Sequence, residues 1–370
     1  MLLTQPRDGY LLLEDGTRFD GHVPTDARTG VGEVVFTTNM TGYQEVLTDP
    51  SYAGQIVVMT APMMGVYGTR GDDAQSRRPW VAGFLVRELS SGPEGWRSEG
   101  SLEGYLEEHD IPTLVGVDTR MVTRHIRDAG AMRGVIAPSS LDEAGAMERL
   151  RAEPSMKGRD LATEVSTPEP YELEADGVER GRVLCMDYGV KRRSLDLIRR
   201  SGYRVRVVPA DTSADELLAA DASGVFVSNG PGDPDAVPGA VERIRALAEA
   251  EVPLFGICLG HQLVARTFGG RNFKLRYGHR GGNHPVRNLD TGRVEITSQN
   301  HGFSVEGDAE GVAAAEDLRV THMNLNDGTI EGLEHRELPV FAVQYHPESA
   351  PGPHDSRYLF DRFVTAMSSV

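Results

Sequence analysis

Chemistry in this chain gathers first around Cys258, in the run Pro253-Leu-Phe-Gly256-Ile-Cys258-Leu-Gly260-His-Gln262. An apolar run that reads as a strand passes directly into one that reads as a helix, with Cys258 at the corner and a glycine two positions to either side. A turn this sharp needs glycine where backbones crowd, and it lifts the side chain at its apex clear of the sheet. The helix N-terminus behind the sulfur favours negative charge and hence the thiolate, and the N–H of Leu259 is placed to meet an oxyanion. The chemistry implied is covalent attack on a carbonyl-type carbon. Cys185, the one other cysteine, lies mid-strand in Val-Leu-Cys-Met and reads as a small buried hydrophobe.

A cysteine nucleophile needs a base and a group to orient it. His346, in Gln344-Tyr-His346-Pro-Glu348, follows the apolar run Val340 to Val343, which would carry it to a sheet edge. Residues two apart in an extended segment point the same way, so Glu348 can stand beside His346 and fix its tautomer. The loop Asn229-Gly-Pro-Gly-Asp-Pro follows another strand, and its glycines let backbone N–H groups approach a substrate. The rival reading, a phosphate loop, lacks any G-x-x-x-x-G-K-[ST] in the chain. His279, His284 and His301 have no neighbouring carboxylate or cysteine at ligand spacing, so no metal site is expected.

The elements that must hold these residues divide into two halves. In the first, Tyr10 to Leu13 leads into Asp15-Gly16, a hairpin signal, and Glu33 to Thr37, Gln55 to Thr60 and Val81 to Val86 read as strands. Asp118 can cap a helix ended by Gly130, with Val122, His125, Ile126 and Ala129 on one stripe. Ser140 with Glu143 reads as a capping box for a helix that stops before Pro154. Residues 161–180 are rich in Glu, Asp and Pro and lose apolar periodicity, which suggests an acidic linker. Beyond it, strand and helix alternate four times from Arg182 to Gly270, the pattern of a parallel sheet covered on both faces. Val294 to Ser298, Phe303 to Glu306 and Val340 to Tyr345 suggest added antiparallel strands, and a last helix is expected over 355–367. The expected class is α/β: an N-terminal mixed β/α domain over 1–160, the linker 161–180, and a doubly wound, mostly parallel-sheet domain over 181–370.

Composition bounds the partners. There are 370 residues, enough for two or three domains at roughly 150 residues each. A net charge of -17 repels phosphate backbones, so nucleic acid is not expected. No apolar run nears the ~18 residues of a membrane helix, and the first nine residues carry no basic-then-apolar leader. Two cysteines cannot build a disulfide framework, so a cytoplasmic protein with free thiols is expected.

Gly256-Ile-Cys258-Leu-Gly260-His-Gln262 with His346-Pro-Glu348 resembles the class I, triad glutamine amidotransferases. Gly278-His-Arg-Gly-Gly-Asn-His-Pro-Val286, Ser298-Gln-Asn-His-Gly-Phe303 and the long run from Phe36 to Gln55 are similar to the small subunit of carbamoyl-phosphate synthase, a likeness that spans nearly the whole chain. The resemblance implies a glutaminase subunit in which Cys258 forms a glutamyl thioester, His346 moves protons and Glu348 holds His346. It implies an oxyanion hole from Leu259 and Gly232, and glutamine contacts from Ser51, Gly230, Gly232, Leu259, Gln262, Asn300, Gly302 and Phe303. It implies no cofactor in this chain. ATP and Mg are expected in a large-subunit partner that takes up the ammonia, in a heterodimer or an oligomer of heterodimers, for arginine and pyrimidine biosynthesis.

Overall fold

The structure, a computed structural model, describes residues 7–24 and 28–368. Residues 1–6, part of the segment read above for a leader, lie outside the described residues. The chain forms two compact units, one of residues 1–159 with 276–280, the other of 160–275 with 281–370.

The first unit is a closed seven-stranded barrel. Its strands are β1 (Arg7–Leu13), β2 (Arg18–Val23), β3 (Gly30–Thr37), β4 (Gln55–Met59), β5 (Gly83–Val86), β6 (Thr113–Val115) and β7 (Met132–Pro138). The order is β1-β2-β6-β5-β4-β3-β7, closed by antiparallel pairing of β7 with β1. The Asp15-Gly16 turn joins β1 to β2 with Gly16 at φ 86°, as the hairpin signal requires. Alternation sorts side chains to two sides: Ile56 and Val58 join one apolar cluster, Val57 and Met59 another. Helices α1 (Tyr43–Thr48), α2 (Leu102–Glu108), α3 (Thr119–Ala129) and α4 (Glu143–Ala152) pack around the strands.

Two sequence expectations change here. Asp118 does cap α3, but of the expected stripe only Val122 and Ile126 are buried. Ala129 is exposed in the last turn, and His125 bonds Asp15 at 2.6 Å. The cap of α4 is Asp142, whose Oδ1 accepts from Gly145 N–H at 2.9 Å. Ser140 falls in the preceding turn, closed by Leu141 N–H on Pro138 O, and so sits too early to cap.

The second unit is a ten-stranded sheet between helices. Its elements are α5 (Ala162–Val165), β8 (Tyr171–Leu173), β9 (Gly181–Asp187), α6 (Arg192–Arg200), β10 (Tyr203–Pro209), α7 (Ala214–Leu218), β11 (Gly224–Val227), α8 (Ala240–Glu249), β12 (Leu254–Ile257), α9 (Leu259–Thr267), β13 (Asn272–Asn288), β14 (Val294–Val305), β15 (Leu318–Asn324), β16 (Ile330–His335), β17 (Val340–Val343) and α10 (Tyr358–Ser368). The strand order is β8-β10-β9-β11-β12-β17-β16-β15-β13-β14, parallel from β10 to β17. Each parallel strand feeds both faces. Leu184, Val225 and Leu254 pack with α7, α8 and α9, while Val183, Phe226 and Phe255 pack with α6 and α10.

The acidic stretch is no free connection. Within it α5 buries Ala162 and Val165, and β8 pairs antiparallel with β10. Its acids serve as clamps: Glu172, Glu174 and Glu179 pair with Arg204, and Asp176 with Arg199. Val294 to Glu306, expected as two strands, is the single long β14 ending at Val305. Val340 to Val343 is not only antiparallel to β16; it is the parallel neighbour of β12. No described helix is long and apolar enough to cross a membrane.

Candidate active site

Cys258 sits between β12 and α9 with φ 54° and ψ -102°. A non-glycine residue rarely adopts positive φ, and doing so costs on the order of 1–3 kcal/mol, which surrounding packing must hold. The flanking glycines are required by approach rather than by dihedral. A Cβ on Gly260 would lie 2.2 Å from Val227 O, and one on Gly256 would lie 2.9 Å from the backbone of Gly260. The strand edge and the helix start therefore touch backbone to backbone. Leu259 is the first residue of α9, so its N–H has no partner within the helix. Gly260 N–H donates to Ser228 O at 3.1 Å, which holds the 228–232 loop against the elbow.

The pairing of β17 with β12 brings His346 to Cys258. Ile257 stands opposite Val343, so Cys258 and Gln344 leave the sheet side by side. The Cys258 N–H donates to Val343 O at 2.9 Å. The extended run stops at Val343, and His346 follows the bend at Gln344 and Tyr345, its N–H on Ser298 O at 2.8 Å. Its Nδ1 meets Glu348 Oε1 at 2.7 Å. Among the described residues Nε2 has no hydrogen-bond partner, and the Cys258 sulfur is a polar neighbour of the ring. The thiol in turn donates to Asn300 O at 3.5 Å. All three triad side chains are at most 2 % exposed.

Sequence reasoning missed one charged group. Lys191 is 2 % exposed, and its Nζ lies 2.5 Å from the same Glu348 Oε1 and 3.1 Å from Ala350 O. Its loop is tied down from both sides. Asp187 Oδ1 accepts from the N–H groups of Gly189 and Val190. Asn229 Nδ2 donates to Gly189 O at 2.8 Å, and Tyr188 N–H donates to Ser228 Oγ. The loop carrying Gly230 and Gly232 is thereby stitched to the loop carrying Lys191. One signal could have found Lys191: it follows a central parallel strand at the same carboxyl edge as Cys258 and Asn229.

The charges decide the protonation of the site. Burial works against ionising Glu348, but the Lys191 ammonium and His346 outweigh it and hold the carboxyl down at about 2. Burial and Lys191 also oppose a charged His346, yet Glu348 and the Cys258 sulfur prevail and raise it to about 9. At neutral pH the ring is thus held in its protonated form.

Of the remaining sequence-derived positions, Gln262, Asn300 and Phe303 come together with Cys258. Gln262 Nε2 donates to Phe303 O at 2.9 Å, beside the Cys258–Asn300 contact. Gly230 packs on Tyr188 O and the Leu259 side chain, where a Cβ would stand 2.0 and 2.9 Å away. Gly232 has φ 89°, a conformation open to glycine. Gly302 lies in β14 between Asn300 and Phe303. Ser51 belongs to the first unit, on the short turn Pro50–Tyr52, with its N–H on Asp49 Oδ1 at 2.9 Å. His301, weighed above as a metal ligand, has Nδ1 bonded to Phe303 O and Nε2 to Gln299 Oε1. Cys185 is fully buried in the sheet, where desolvation and then Asp187 push its thiol well up.

Comparison with known proteins agrees with this geometry. Residues 184–366 match the family model "Glutamine amidotransferase class-I", and residues 11–136 match "Carbamoyl-phosphate synthase small chain, CPSase domain". Among similar proteins is the carbamoyl phosphate synthase small chain of Syntrophotalea carbinolica, 49% identical over 96% of this chain and 97% of that one. The proteins of the same name from a Synechococcus and a Nostoc species are 47% and 48% identical. Each alignment covers 99% of this chain, and 95% and 97% of the relatives respectively.

Proposed function

We infer the activity from kinship and geometry together: the chain belongs to the carbamoyl phosphate synthase small-chain family. It is the glutamine-hydrolysing subunit of that synthase. Cys258 is the nucleophile. Its thiolate attacks the side-chain amide carbon of glutamine, and the N–H groups of Leu259 and Gly232 receive the oxyanion. Imidazolium His346 gives its proton to the departing ammonia, leaving a γ-glutamyl thioester. The neutral ring then takes a proton from water, which attacks the thioester and releases glutamate. Glu348 holds the ring through Nδ1 and balances its charge in both steps. Gly230, Gln262, Asn300, Gly302 and Phe303 line the glutamine site. Ammonia passes to a large chain that uses ATP, Mg and bicarbonate, in a heterodimer or a larger assembly of heterodimers.

The observation that supports this most is the 2.7 Å His346–Glu348 contact beside a cysteine on a positive-φ elbow. The test is carbamoyl phosphate synthesis by the reconstituted complex with either glutamine or ammonia as nitrogen donor. Cys258→Ser should abolish the glutamine-dependent rate and leave the ammonia-dependent rate in place. Substantial glutamine-dependent synthesis by that variant would remove Cys258 from the nucleophile's role.

A further inference from the structure

The carboxamide of Gln262 is held in one orientation, and the residue that completes the hold lies outside the glutamine-binding set. Phe303 O can only accept, so the end of Gln262 that meets it at 2.9 Å is Nε2. The other proton of that nitrogen goes to Gln344 Oε1 at 3.1 Å. Both donors are then committed, and Gln262 Oε1 has no hydrogen-bond partner among the described residues. Phe303 O is itself shared, since it also receives His301 Nδ1 at 2.7 Å. A carbonyl that serves two donors leaves the Gln262 amide dependent on its second acceptor.

Gln344 is well placed for that task. It is wholly buried, follows β17 directly, and donates its own N–H to Glu331 O at 2.9 Å. Its polar neighbour is the ring of His261, wholly buried too, whose nitrogens have no hydrogen-bond partner among the described residues. Burial drives that imidazole down to about 3, so it stays neutral and sets no charge beside Gln344.

We propose that Gln344 is a positioning residue for substrate selection: by accepting from Gln262 Nε2 it keeps Gln262 Oε1 as the acceptor offered to the α-ammonium of glutamine. This rests on the reading above that Gln262 contacts the substrate. An amide free to turn would offer N–H to an ammonium and repel it. Without Gln344 a buried N–H of Gln262 loses its acceptor, and the rotation that finds another one moves Oε1 away.

The test is Gln344→Met, which keeps most of the volume and removes the acceptor, in the full chain assembled with its large chain. Two substrates are compared: L-glutamine, and glutaramate, which has the same amide and carboxylate but no α-ammonium. Because a hydrogen bond to a charged group is at stake, kcat/KM for glutamine should fall roughly 10-fold or more, mostly through KM. For glutaramate the change should stay within about 2-fold. The double variant Gln262→Met/Gln344→Met should lose no more on glutamine than Gln262→Met alone, since Gln344 acts through Gln262. Equal losses on both substrates, a double variant well below Gln262→Met, or unchanged glutamine kinetics would each overturn the proposal. A wild-type complex that releases no ammonia from glutamine would instead overturn the reading of the site beneath it.

Discussion

Replacing Lys191 with methionine keeps most of the side-chain volume and deletes one buried charge beside the triad. Lys191 Nζ and His346 Nδ1 contact the same Glu348 oxygen at 2.5 and 2.7 Å. The two nitrogens are therefore no more than about 5.2 Å apart, and at an effective dielectric of ~20 their repulsion is about 3 kcal/mol, or ~2 pK units. In the native site that repulsion and burial together restrain His346, which Glu348 and Cys258 still raise to about 9. Removing Lys191 removes one restraint, so the pKa of His346 rises. Water entering beside Glu348 trims the gain, and an upward shift of at least ~1 unit is expected. The assay is kcat for glutamine hydrolysis against pH. The alkaline limb, where the ring loses the proton it must give to ammonia, should move from near 9 to about 10 or above. Stability supplies a second readout. Removing one partner of a buried pair costs about 3–5 kcal/mol, a Tm drop on the order of 10 °C. The linkage sign is fixed by Glu348. Its carboxyl is lowered to about 2, so its contribution is present above the ordinary carboxylate range and lost as pH falls toward 2. In the variant Glu348 is lowered less, so the contribution lost on acidification should be smaller and its loss complete at a higher pH. An alkaline limb that stays in place or moves down would refute the claim that His346 feels the Lys191 charge.

Three further outcomes follow from the same geometry. Gly260→Ala should gain up to about 1 kcal/mol by helix propensity, yet its Cβ would stand 2.2 Å from Val227 O, a backbone atom with nowhere to go. The clash should win, with a net loss of about 2 kcal/mol or more in thermal unfolding and with glutaminase activity gone; a variant that melts like the native protein would show that the elbow can open. A glutamine-like alkylating agent should label Cys258 well before Cys185, whose thiol is pushed well up by burial, and glutamine should protect it; peptide mapping with Cys185 labelled first would reverse the assignment. Glu348→Gln should lower kcat less than His346→Asn, because the base moves the proton and the carboxylate orients it; equal and complete losses in two folded variants would give Glu348 a more direct part.

What the sequence determined by itself is local in origin. The turn at Cys258 is legible because glycine is required two residues to either side of it, and both requirements are short-range contacts within the strand–turn–helix segment or onto the next strand. The alternation of strand and helix from Arg182 to Gly270 is legible because period-2 and period-3.6 burial leave separate traces. The capping box of Ser213 and Glu216 is visible and present for the same reason. Pairing and charge placement are different, since they depend on which distant segments meet. Nothing in Val340 to Val343 says that it lies parallel to β12, yet that pairing sets Cys258 beside Gln344 and so brings His346 within reach. Closure of the barrel rests on β7 returning to β1, a contact between residues over a hundred positions apart. The acids of 161–180 read as solvated charge until folding sets Arg204 and Arg199 opposite them. Nothing local marks Lys191, because a buried ammonium is tolerable only with a partner, and its partner, Glu348, lies 157 residues further along the chain.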